Sequence, residues 1–174
     1  MTAAIPRPDA SEYAPNYQGY VTKVPDGNLL EILEDQRQET QELLAGITEG
    51  RAMHRYAPGK WSVKEVIGHV TDAERVFSYR ALRFARGDQT PLPGFDENAY
   101  APAGKFDARA LPDLAAELDA VRRATITLFA GLDAPALARR GLASNQEVSV
   151  RALAYIIAGH ERHHLGVLRE RYLR

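Results

Sequence analysis

Five histidines and no cysteine set the chemistry open to this 174-residue chain. His160 and His164 are four apart on a segment that reads as helix, which sets them about 40° apart around the axis and about 6 Å along it. Two imidazoles in that relation can share one metal ion, as in His-x-x-x-His zinc helices. His69 falls on a second helix, beside Val66, Val70 and Ala73 on the shoulder of its inner face. Bundle cores build metal sites from side chains on facing helices. Three imidazoles would hold a divalent ion and leave at least one position open, as a catalytic rather than a structural centre does. A plainer reading competes, since a histidine on an apolar face is usually a core residue with its hydrogen bonds satisfied. His163 also competes: it is three from His160 and next to His164, so a small rotation of the inner face makes His160 and His163 the pair. His54 lies in a polar loop before Trp61 and reads as exposed and structural.

The missing cysteine removes disulfide frameworks, Cys-ligated zinc or iron–sulfur sites, and a protein thiol nucleophile. The N-terminal stretch carries prolines with Asp9 and Glu12, not the basic start and apolar run of a signal peptide. No stretch approaches the roughly 18 apolar residues of a membrane span. The expectation is a cytoplasmic protein without a membrane partner. Lys+Arg is 22 against 23 for Asp+Glu, a formal charge of −1, so there is no electrostatic footprint for nucleic acid. The arginines after Arg151 read as a solvated helix face.

The elements that must position these histidines can be read from periodicity. Residues 1–27 read as an extended arm, because Pro6, Pro8, Pro15 and Pro25 oppose regular helix. Residues 28–174 read as a single domain. Its first helix is expected from about Asn28 to Ile47, with Gly50 as the stop. The stripe runs Leu29, Leu33, Gln36, Thr40, Leu43, Ile47, and a purely structural core would prefer leucine to Gln36 and Thr40. The second helix opens on a capping box, Ser62 with Glu65, and its apolar face continues through Phe77, Ala81 and Phe84 to Gly87. The long stretch 87–106 reads as a non-helical loop, and loops of that length are often functional. The third helix starts near Leu111–Pro112 and stops at Gly131, its stripe taking in Leu114, Leu118, Val121, Thr125, Leu128 and Phe129. A helical turn from Asp133 to Arg139 and a loop or brief extended piece at 145–148 precede a fourth helix capped by Ser149. The sum is an all-α four-helix bundle, with the long loop between helices two and three long enough to cross its end.

Three segments together resemble the DinB/YfiT-like superfamily: KWSVKEVIGHVTDAE at 60–74, LPGFDENAY at 92–100 and SVRALAYIIAGHERHHLGVLRERY at 149–172. (This is the damage-inducible bundle family, not the DNA polymerase sharing the name.) VTKVPDGNLLEIL at 21–33 is similar to that family's entry into its first helix. The resemblance implies a metal-dependent enzyme whose tri-histidine site falls on His69, His160 and His164. It implies zinc or nickel as the ion and a homodimer as the assembly. Such proteins include thiol S-transferases using bacillithiol, mycothiol or glutathione, a mycothiol-dependent maleylpyruvate isomerase, and metal-dependent hydrolases.

Three neutral imidazoles would leave the ion its full charge, so a bound thiol loses its proton and a bound water reaches a pKa near 7. With no cysteine, the thiol must arrive as a small molecule. The expected function is a metal-dependent thiol S-transferase joining a low-molecular-weight thiol to an electrophilic small molecule. The alternatives are a metal-dependent hydrolase using activated water and a non-catalytic metal-binding stress-response protein. Asp72, three from His69, is the candidate to accept a ligand imidazole's N–H, against a surface carboxylate paired with Arg75. Glu161 points about 100° from His160 and is not expected as a base. Trp61 reads as a core residue at the bundle end, and Phe95, Asn98 and Tyr100 as lining the pocket mouth. Metal affinity is expected to fall as pH drops through about 6.5, where free imidazole protonates.

Overall fold

The computed structural model describes residues 4–174, so the first three residues of the expected arm lie outside it. In chain order the elements are α1 (Gln18–Val21), α2 (Leu29–Ala45), α3 (Glu49–Ala52), α4 (Val63–Ala85), α5 (Glu97–Ala103), α6 (Leu111–Ala130), α7 (Ala134–Ala138), β1 (Arg140–Ala143), β2 (Gln146–Ser149) and α8 (Val150–Val167), which ends in a π-turn at Leu168–Tyr172. The first N–H groups of a helix lack carbonyl partners, and short polar side chains accept for them. Asn28 accepts from Leu30 N at the start of α2, and Ser149 from Ala152 N at the start of α8. Ser62 and Glu65 close the reciprocal capping box of α4. Gly46 ends α2, four residues before the expected stop.

The four long helices α2, α4, α6 and α8 form the bundle. Helix α4 packs on both α6 and α8, and α2 packs on the same two, so α2 and α4 face each other across a diagonal. The long connection between α4 and α6 therefore joins neighbours and does not cross the bundle end. The crossings are made by the connections before α4 and before α8. Among the described residues no helix is long and apolar enough to cross a membrane.

The core is divided. One apolar half contains Leu29 and Leu33 of α2, Phe77 and Phe84 of α4, Phe129 of α6 and Leu153 of α8. The other contains Leu44 of α2, Val66 of α4, Leu118 of α6 and Leu165 of α8. Between them every long helix contributes buried polar side chains: Gln36 and Thr40, then His69 and Glu74, then Arg122 and Thr125, then His160 and Glu161. A belt of polar groups thus crosses the middle of the bundle. Burying such groups is unfavourable unless each finds a partner.

Three expectations are corrected. The arm is packed, not extended: α1 forms between Pro15 and Pro25, where Tyr17, Tyr20, Val21 and Val24 repeat at helical spacing. Ile5, Tyr13, Val21 and Val24 enter the core, and Arg151 and Ser149 hold the buried Glu12 carboxylate. The segment 87–106 contains a helix, α5, because Asp96 caps Asn98 N and Ala99 N, and Pro102 falls in its last turn. Finally, the brief extended piece expected at 145–148 is present as β2, but it is paired with β1 in an antiparallel hairpin over 140–149 that turns at Ser144 and Asn145. Their φ values of 52° and 60° match a two-residue type I′ turn, whose twist suits a hairpin.

Candidate metal centre

Helices α4 and α8 lie side by side, and each brings its histidines to the same point. His69 Nε2 stands 3.1 Å from His160 Nε2, and His164 Nε2 stands 3.2 Å from that same atom. One ligand atom from each of the three residues lies within 4.8 Å of the others. His160 Nε2 carries either one proton or one in-plane lone pair, so it can make one hydrogen bond and not two. Three nitrogens aimed at one spot with too few protons between them fit a shared cation, which would take a lone pair from each.

Electrostatics favours the neutral state that a ligand needs. Burial lowers His69 to about 4. It lowers His164 to about 3, helped by the neighbouring His69 and His163. Burial likewise pushes His160 well below the ordinary imidazole value, with the other three histidines adding to it. The expected fall in metal affinity near pH 6.5 therefore moves lower, because burial keeps these rings unprotonated in more acidic solution.

The triad forms one wall of a cavity of about 500 Å³. Gly159 explains how the arm reaches this wall. A Cβ there would stand 2.0 Å from the carbonyl oxygen of Tyr20, so only glycine lets α1 lie against α8. Tyr20 consequently packs edge-on against His160 at 5.3 Å, and Tyr17 packs edge-on against Phe77 at 6.2 Å. Trp61 leans over His69 at 4.8 Å and lines the cavity, so it is a site wall as well as a bundle-end residue.

The other expected residues divide. Phe95 lines the cavity. Asn98 lines an adjoining cavity, with Trp61, His163 and His164. Tyr100 is exposed and stacks on Phe95 at 5.4 Å without reaching either cavity wall. Asp72 makes no hydrogen bond to His69. Its charged neighbour is Arg75, at 3.9 Å, and burial raises its carboxyl. His163 packs on Tyr20 and His164 and stays outside the cluster of three. His54 is exposed and meets Tyr172 edge-on.

Sequence reading missed Tyr17, Tyr20 and Arg80 as site residues. The i, i+3, i+4 spacing from Tyr17 through Val21 signals the first two. Arg80 lies three residues past Phe77 on the inner face of α4, where its charge argued against burial.

Residues 32–168 match the model of the DinB superfamily, which is most of the chain, and the chain belongs to that superfamily. Among solved structures it matches YfiT from Bacillus subtilis, described as "a probable metal-dependent hydrolase with an unusual four-helix bundle topology". The TM-score is 0.72 at 16% identity, over 82% of each chain. No curated protein matches the chain.

Proposed function

We propose that this DinB-superfamily protein is a divalent-metal-dependent transferase that joins a small-molecule thiol to an electrophile, with His69, His160 and His164 holding the ion. The observation that carries the metal dependence is the convergence of three imidazole nitrogens on the wall of an accessible cavity. A divalent ion there would strip the proton from a bound thiol and lower the pKa of bound water.

What surrounds the triad favours the thiol over water. Glu97 is the one carboxylate on the cavity wall among the described residues, and it sits exposed on the rim. Glu74 and Glu161 are turned away and engaged by Arg122. A thiol ionises readily and needs no protein base, whereas water profits from one, a part that no carboxylate on the wall but only His163 could take. Tyr17, Tyr20, Trp61 and Phe77 supply an aromatic enclosure that would hold an apolar electrophile beside the triad and limit water there. The hydrolase reading draws support from the description of YfiT. A non-catalytic role is disfavoured because the cavity is not sealed.

The test is turnover of a generic electrophile by zinc- or nickel-loaded protein, with and without added thiol. Product should form only with thiol, one thiol consumed per product, and His160→Ala should abolish it. Turnover independent of thiol would assign water as the nucleophile and the protein as a hydrolase.

A further inference from the structure

Arg80 is only 3% exposed, and no carboxylate lies within ion-pair distance of it among the described residues. Arg122, equally buried, is held by two. Nη2 of Arg80 donates to the carbonyl of Pro93 at 2.9 Å and to Ser144 Oγ at 3.0 Å. These are neutral acceptors. Leu92 and Ala143 form a bridge, and the hairpin turn delivers Ser144, so the contacts hold the guanidinium in place without neutralising it. Phe77 and Phe95 flank it, with Cζ at 5.8 Å and 6.0 Å from their ring centres. Nε and Nη1 make no hydrogen bond to any described residue, and the side chain lines the histidine cavity.

A guanidinium held from behind by neutral acceptors, with Nε and Nη1 free on a cavity wall and no carboxylate beside it among the described residues, leaves its charge for a ligand to meet. We propose that Arg80 is an anion subsite at the far end of this cavity and takes a carboxylate of the substrate. A singly charged group suits it, because one guanidinium faces the cavity and Glu97 on the rim opposes a dianion. Phe77 borders both the subsite and the triad: its ring stands 6.0 Å from that of His160 and 5.8 Å from Arg80 Cζ. The substrate class is a small acid with a carboxylate at one end and a sulfur or other metal-binding atom at the other, lying along the Phe77 ring. This span rests on the proposed metal centre, whereas the carboxylate subsite does not.

Trp61, the single tryptophan, lines the same cavity and reports binding there. The full chain, metal-free, is titrated with hexanoate and with hexanamide. A charge-assisted hydrogen bond should favour hexanoate by at least about tenfold. Arg80→Gln should remove that preference and leave hexanamide unchanged. Equal response to both ligands, or a preference surviving Arg80→Gln, overturns the subsite. Should Arg80→Gln not fold, the ¹⁵N-resolved Nε–H signal of Arg80 in the native chain decides. Hexanoate should move it and hexanamide should not, and an unmoved signal overturns the proposal. Zinc-loaded protein is then titrated with 6-mercaptohexanoate and 6-mercaptohexanol. If hexanoate is preferred but zinc tightens neither mercapto compound, the metal centre fails and the subsite stands. If zinc tightens both equally and hexanoate shows no preference, the subsite fails and the metal centre stands.

Discussion

The polar belt has two halves organised oppositely, one drawing on all four long helices and the other on α4 and α8. In one half Arg122 pairs with Glu74 through two 2.8 Å hydrogen bonds and with Glu161 through a third of the same length. Glu161 also accepts from Thr40 and Gln36, both at 2.8 Å. Each long helix contributes, and Thr125 Oγ1 is the single buried side-chain polar atom left without a partner among the described residues. In the other half His160, next to Glu161, meets two imidazoles with too few protons to bond both, and Arg80 lacks a carboxylate. Apart from Thr125 Oγ1 the closed half satisfies itself, and it fixes the four helices against one another. The open half is left unsatisfied beside a cavity, so it is where a ligand can contribute binding energy. Burial of polar groups therefore serves different ends, and the state of the partners distinguishes them.

The largest effect should come from breaking the closed half. Arg122→Met leaves two carboxylates facing each other in the core, and removing one member of a buried ion cluster costs about 3–5 kcal/mol. Denaturant unfolding of the metal-free protein measures it. His160→Ala, in the open half, should cost the metal-free protein clearly less, within the roughly 0.5–3 kcal/mol of ordinary substitutions. It should instead abolish stoichiometric metal by elemental analysis and the stabilisation that added metal gives the native chain. Equal costs for the two would erase the distinction between the halves.

Packing between the arm and the open half gives the next effect. Gly159→Ala drives a methyl group into the Tyr20 carbonyl, and overpacking of this kind costs about 1–3 kcal/mol. The arm must shift, so the variant should quench or shift Trp61 fluorescence as the aromatic wall opens. An unchanged melting temperature and spectrum would mean the arm does not rest on α8.

Acid should separate the two regions by window. The three imidazoles are lowered on folding, so the unfolded chain takes up protons first, below about 6.5. Stability of the metal-free protein should decline from there towards the lowered values, about 4 for His69 and about 3 for His164. Bound metal should persist at pH 5.5 and be lost as pH falls through that lower range. The arm responds later. Burial raises Glu12, but hydrogen bonds from Arg151, Ser149 and the Asp9 backbone outweigh it and hold the carboxyl at about 2. Its contribution is present above about 4.5 and disappears as pH falls towards 2. His160→Ala with His164→Ala should flatten the upper window alone, read from unfolding midpoints between pH 7.5 and 3.

How much of this the sequence revealed depends on the kind of signal. Caps and apolar periodicity are local, so Ser62 with Glu65, Ser149, and the stripe of α4 located the long helices directly. The spacing of His160 and His164 with His69 pointed to the cluster. Gln36 and Thr40 stood out as polar members of an inner face, and they proved to hold Glu161. Arg122, which holds the same Glu161, was missed because Val121 and Leu128 look like core, while Leu118, Arg122, Thr125 and Phe129 are the residues turned inward. An arginine is acceptable there only because two glutamates from other helices meet it, and no local pattern encodes that meeting. The hairpin and α5 were missed for a related reason: a two-residue turn and a single Asp cap decide them, against prolines nearby.

The smallest effect is the one that best fixes the register of α8. His163 is adjacent to His164, half-buried, and packs on Tyr20 at 5.6 Å, yet its ring lies outside the converging set. His163→Ala should keep one metal per chain and change stability by no more than about 1 kcal/mol, since it trims a partly exposed contact. His54→Ala, at an exposed position, should change less still. The pair His160 and His163 would demand that α8 turn by about 50°, the angle between the midpoints of the two pairs at about 100° per residue. That turn would withdraw Glu161 from Arg122, Thr40 and Gln36 together. If His163→Ala strips the metal, the closed half is wrong as well, because one helix orientation places both halves of the belt.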